Sequence, residues 1–150
     1  MRIVCHLRFV VCYFIRYFNL SVDFTVSKEI KEKIEKILQK VDLPHIDGKR
    51  IVCFRSYGSK SRAIARIWAL PRIWQMALKL EAHYCIEVIS HRFDKLSEDN
   101  QVRVLIHELL HIPKNFSGAL LPHRARKAYG INRRNIEKLF KEYKKKISNI

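Results

Sequence analysis

Apolar positions along this chain recur at two spacings, one helical and one extended, and the alternation between them predicts the elements. Ile30, Ile34, Ile37, Leu38 and Val41 form one helical stripe, with Lys28, Glu29, Lys31, Glu32, Lys33, Glu35 and Lys36 covering the solvent side. Ser27 stands where its hydroxyl can cap that helix. Leu43 to Gly48 reads as a turn. Residues 50–57 and 63–70 are rich in β-branched and aromatic residues around Gly58-Ser59-Lys60-Ser61, which predicts a β-hairpin. Residues 71–80 form a connection with one or two helical turns, and His83 to Ser90 reads as a third strand. Val102, Leu105, Ile106 and Leu109 then recur at i, i+3, i+4 and i+7. Ser97 caps this second helix, Glu98 and Asp99 favour its positive end, and Pro113 stops it. A last helix follows Asn132, with Ile136, Leu139, Phe140, Tyr143 and Ile147 on its apolar face.

These elements predict an α+β domain, in which a small, mostly antiparallel sheet packs on an N-terminal helix, the helix after Ser97 and a C-terminal helix. A chain of 150 residues with 48% hydrophobic content suits one folded domain. That domain is expected over 22–150. Residues 1–21 form an N-terminal extension of different character, aromatic and β-branched but carrying Arg2, His6, Arg8 and Arg16. Its longest uncharged run, Phe9 to Ile15, is too short to span a bilayer, and no cleavage site of a signal peptide follows. Three readings fit it: an extra strand, a basic amphipathic surface segment, or upstream sequence translated from a misassigned start.

The second helix carries the chemistry. Its centre reads His107-Glu108-Leu109-Leu110-His111, a His-Glu-x-x-His motif inside a helix-periodic run. Residues four apart lie one turn above each other on a helix, so His107 and His111 can offer two imidazoles to one metal ion. Glu108 lies beside them, placed to act as a general base on a water rather than as a ligand. A catalytic zinc site takes three protein ligands and leaves one position open. His123, after the loop bracketed by Pro113 and Pro122, is the first choice for the third. The rival is Glu137 on the last helix, which is equally well placed for an ordinary i,i+4 pair with Lys141. His45, His83 and His91 read as turn or strand-end residues. Tyr129, Arg124 and Asn115 are candidate donors to an oxyanion.

Charge adds a second feature. The formal net charge is +16, with a pI near 10.0. No acid occurs between Asp47 and Glu81, while Lys49, Arg50, Arg55, Lys60, Arg62, Arg66, Arg72 and Lys79 are all basic. A basic surface around Lys60 and Arg62 is therefore a candidate for nucleic acid. Trp68 and Trp74 are expected in the core. The four cysteines (Cys5, Cys12, Cys53 and Cys85) have neither metal spacing nor a disulfide pattern, which suits a reduced, cytoplasmic protein.

The run from His107 through Gly118, followed by Pro122-His123, resembles a family of short zinc metallopeptidases of prokaryotes and phages, built as minimal zincins. Arg55-Ser-Tyr-Gly-Ser-Lys-Ser-Arg62 and Glu87-Val-Ile-Ser90 are similar to it as well, so the likeness spans about residues 22 to 147. The resemblance implies a zincin-like fold, one catalytic zinc at His107, His111 and His123, a catalytic Glu108, and a protein or peptide substrate. The function expected is zinc-dependent hydrolysis of peptide bonds, with nucleic-acid-associated proteins as targets that would account for the charge. The alternatives are a zinc-dependent ribonuclease and a non-catalytic nucleic-acid-binding metalloprotein. The ribonuclease is disfavoured by the Glu directly after the first histidine.

Overall fold

The computed structural model describes residues 22–123 and 131–148. The three readings of residues 1–21 therefore lie outside the described residues. Strand β1 (Asp23–Val26) leads into helix α1 (Lys28–Lys40), and a short 3-10 turn at Gly48–Arg50 leads into β2 (Ile51–Tyr57). Then come β3 (Ala65–Ala69), α2 (Arg72–Leu78), β4 (Tyr84–Ile89) and a single-turn helix α3 (Ser90–Phe93). Two longer helices complete it, α4 (Glu98–Leu109) and α5 (Arg133–Ser148).

Local chemistry sets the helix boundaries. The Ser27 hydroxyl accepts from the Ile30 amide at 3.3 Å, and the Ser97 hydroxyl accepts from the Asn100 amide at 3.4 Å. Each satisfies one of the amides that a helix start leaves without an intrahelical partner. Helix α4 then ends at Leu109, and the turn tightens as the His111 amide bonds back only three residues, to Glu108 at 3.1 Å.

The four strands form one mixed sheet in the order β1-β2-β4-β3. β4 runs parallel to β2, pairing Ile51 with Tyr84 through Ser56 with Ile89, and the other two pairings are antiparallel. The hairpin expected around Gly58 does not form, because β4 lies between β2 and β3. Its sequence explains the inner position. Tyr84, Ile86, Val88 and Ile89 are fully buried, which only a strand flanked on both sides and covered by helices achieves. The segment between β2 and β3 has to cross only two interstrand gaps, about 10 Å, so a few residues suffice.

One face of the sheet carries the core. Ile51 and Cys53 of β2 and Tyr84, Ile86 and Val88 of β4 meet Ile30, Ile34 and Ile37 of α1 and Leu105, Ile106 and Leu109 of α4. Phe140 closes the far side from α5. Fully burying one such aliphatic side chain contributes about 1.5–3 kcal/mol, so this layer determines where α4 sits. The two tryptophans are not part of it. Trp68 is 52% and Trp74 55% exposed, contrary to the expectation from sequence. Trp68 lies on the opposite sheet face and donates its indole N–H to the buried Glu87 at 3.0 Å. Trp74 stands on α2, whose inward residue is Gln75 instead.

Candidate metal centre

His107 and His111 come from the end of α4, and a well-anchored loop brings His123 to them. Gln75 donates from Nε2 to the carbonyls of Leu70 (2.8 Å) and Ser117 (3.1 Å). The Tyr84 hydroxyl accepts from the Gly118 amide (2.9 Å) and donates to the Ala119 carbonyl (3.1 Å). Phe116 meets the Tyr84 ring edge-on at 4.9 Å between centroids. Gly118 adopts φ +80°, and a Cβ there would lie 2.1 Å from the Gln75 amide nitrogen, so both conformation and space demand glycine. Leu121 then bonds back to the helix end, its amide donating to the His111 carbonyl at 2.8 Å.

Two residues later the three imidazoles converge. Ring centroids are 5.2 Å apart for His107 and His111, 5.1 Å for His107 and His123, and 4.8 Å for His111 and His123. One ring nitrogen from each lies within 4.8 Å of the others, so the group could hold a metal ion. The Nδ1 of His111 is 2.7 Å from the Leu121 carbonyl, to which it donates, so that Nε2 is left free as an acceptor. Burial and the neighbouring His111 and His123 push His107 down to about 4, so its ring is neutral at pH 7. Burial also lowers His111, against the opposing hydrogen bond to Leu121. Neutral imidazoles are the form a metal requires.

Glu108 is held against β3. It is buried, and that burial raises its carboxyl to about 7, opposed by the backbone N–H of Ile67. The sheet geometry explains this contact. Ile89 donates to Ile64 and Leu70 to His83, each at 2.9 Å, so the even-numbered residues of β3 bond to β4. In an antiparallel pair the alternate residues turn their main chain away. Ala65, Ile67 and Ala69 therefore face outward along the sheet edge, towards α4.

The other sequence candidates are placed elsewhere. Glu137 is engaged by Arg103, with Nε to Oε1 at 2.7 Å, and is not in the histidine group. His45 lies 3.4 Å from the Ile112 carbonyl, His83 donates to the Glu81 carbonyl at 2.9 Å, and His91 is exposed on α3. Asn115 is exposed on the loop, while Arg124 and Tyr129 lie outside the described residues. Sequence reasoning missed Ile67 and Leu121. Both act through main-chain atoms, which leave no signature in side-chain type.

A small α+β domain with three histidines gathered at a helix end defines a metal-binding class of protein. The chain belongs to the family described as putative phage metallopeptidase, whose model matches residues 22–148. No curated protein and no solved structure matches it significantly. No helix among the described residues is long and apolar enough to cross a membrane.

Proposed function

We propose that this chain is a zinc peptidase in which His107, His111 and His123 hold the ion and Glu108 is the general base. The observation that carries this reading is the convergence of the His107, His111 and His123 rings at the end of the same helix that carries the buried Glu108. Their chemistry fits the ion, since three nitrogen donors with a fourth position open is the donor set of catalytic zinc. Zinc held there would supply Lewis acidity, acidifying water and polarising the scissile carbonyl.

The protein's own groups do the rest. Glu108, with a carboxyl near 7, is matched to taking a proton from the attacking water and returning it to the leaving amine. The Ile67 amide fixes the direction of that carboxylate. Leu121 fixes the tautomer of His111. With the Ile67 amide held by Glu108, the outward main-chain groups of Ala65 and Ala69 are what this edge offers an extended peptide to pair with.

The test is a panel of protein and RNA substrates offered to the zinc-loaded wild type and to Glu108→Gln. Peptide hydrolysis should fall at least 10²–10⁴-fold, the usual effect of losing a general base, while zinc content is retained. Full activity in that variant with zinc bound would overturn the assignment. The second reading, a nucleic-acid enzyme or binder, rests on Lys60 and Arg62, both exposed on the loop between β2 and β3. Cleavage of RNA by the wild type, or RNA binding that weakens steeply with salt, would favour it.

A further inference from the structure

A cavity of about 620 Å³ opens from His107 into the groove between α4 and α5. Its walls include Asn100, Arg103 and His107 from α4 and Arg133, Ile136 and Glu137 from α5. Asn100, Arg103 and His107 are spaced by three and four, so they form one stripe of α4 that starts at the metal centre. The volume falls in the range of ligand pockets, roughly 300–1,000 Å³, and the groove is large enough for a side chain next to the reacting bond.

Its charge is organised. Arg103 bonds from Nε to Glu137 Oε1 at 2.7 Å, from Nη2 to Oε2 at 3.5 Å and from Nη1 to Asn100 Oδ1 at 3.2 Å. Its guanidinium also lies 3.7 Å from the centroid of the Phe140 ring. The side chain is thus held in place before any substrate arrives. Among the described residues three of its five N–H donors are engaged, and the other two are available to a guest. Both oxygens of Glu137 accept from Arg103, so the charge of this acid is already compensated. Arg133 adds a second cation at the wall. Its charge is felt by Glu137, but among the described residues it has no ion-pair partner. Two cations therefore face one carboxylate, and an added carboxylate balances the groove.

We propose that this groove is the subsite for an acidic substrate side chain, and that Arg103 and Arg133 give the enzyme a preference for Asp or Glu next to the cleaved bond. The proposal rests on the peptidase reading for its substrate but not for its binding chemistry. Arg103 supplies the preset donors and Arg133 the unbalanced charge.

The experiment has two arms. In the first, the zinc-loaded wild type digests a mixed peptide library, and sequencing of the products reads the residues flanking each cut. In the second, fluorescein-labelled peptides differing only in Glu, Ala or Lys at one central position are titrated onto zinc-loaded Glu108→Gln. Glu should be favoured over Lys by about fivefold, the gap should narrow at high salt, and Arg133→Glu should reverse the order. Equal binding of the Glu and Lys peptides, a preference for Lys, or no peptide binding at all would overturn the subsite. Cutting without charge preference would sink the subsite alone. Charge-selective binding by a wild type that cuts nothing would sink the peptidase reading and leave the subsite standing.

Discussion

His111 and Leu121 are joined twice: the Leu121 amide donates to the His111 carbonyl at 2.8 Å, and the His111 Nδ1 donates to the Leu121 carbonyl at 2.7 Å. One contact stops the helix end from fraying, and the other sets which ring nitrogen faces the centre. Both also fix the chain two residues before His123. This pair therefore couples the orientation of one proposed ligand to the delivery of another. Leu121→Pro keeps the carbonyl and removes the amide. Zinc affinity should fall roughly 10–100-fold, the usual effect of losing a group that orients a ligand. A competition titration with a chromophoric chelator measures it, and unchanged affinity would mean the loop reaches its place without that bond.

The third ligand can be decided by metal content. His123→Ala should lose most bound zinc, because two imidazoles leave the donor set incomplete. Glu137→Ala should keep its zinc and show only a small fall in Tm, since it loses the surface contact with Arg103. The reverse pattern would move the ligand to α5.

Gly118 tests the loop that carries His123. At φ +80°, with Gln75 and the Leu70 carbonyl against the site of a Cβ, Gly118→Ala should destabilise the fold by more than about 1 kcal/mol. Zinc affinity should fall in step, because the same loop delivers His123. Denaturant melts with and without zinc would show both effects, and a neutral substitution would mean the loop can relax around the methyl group.

Stability should also report the Glu108 carboxyl. Burial holds it at about 7 in the folded chain, against about 4.3 for an exposed glutamate. Between those values the folded state binds more protons, so this group's contribution is present at low pH and lost as pH rises through about 7. His107, held down to about 4, acts in the opposite sense, losing its contribution as pH falls below about 6.5. Comparing Glu108→Gln with wild type, both metal-free, largely cancels the histidine. The Tm of the variant relative to wild type should therefore rise between about pH 5 and about pH 8. A flat or falling difference would show that the carboxyl is not held protonated by the fold.

The helices were legible along the chain because what makes them is local. Ser27 and Ser97 cap through amides three residues away, and the four-residue step from His107 to His111 needs only the pitch of a helix to align two rings. The α+β class followed from the same short-range rules. The sheet order did not, since residues 51–57 and 65–69 read as neighbours until the buried face of β4 claims the place between them. Trp68 and Trp74 misled for a related reason: aromatic type says that a side chain has apolar area, not which face of a sheet or helix it occupies. Local pattern also left His123 and Glu137 as rivals. The tertiary structure puts His123 with the other two histidines through Tyr84, Gln75 and Leu121, and commits Glu137 to Arg103. The groove of Arg103 and Arg133 exists only once α4 and α5 pack together. Contacts between residues far apart in sequence depend on which faces bury one another, and no short stretch of sequence carries that information.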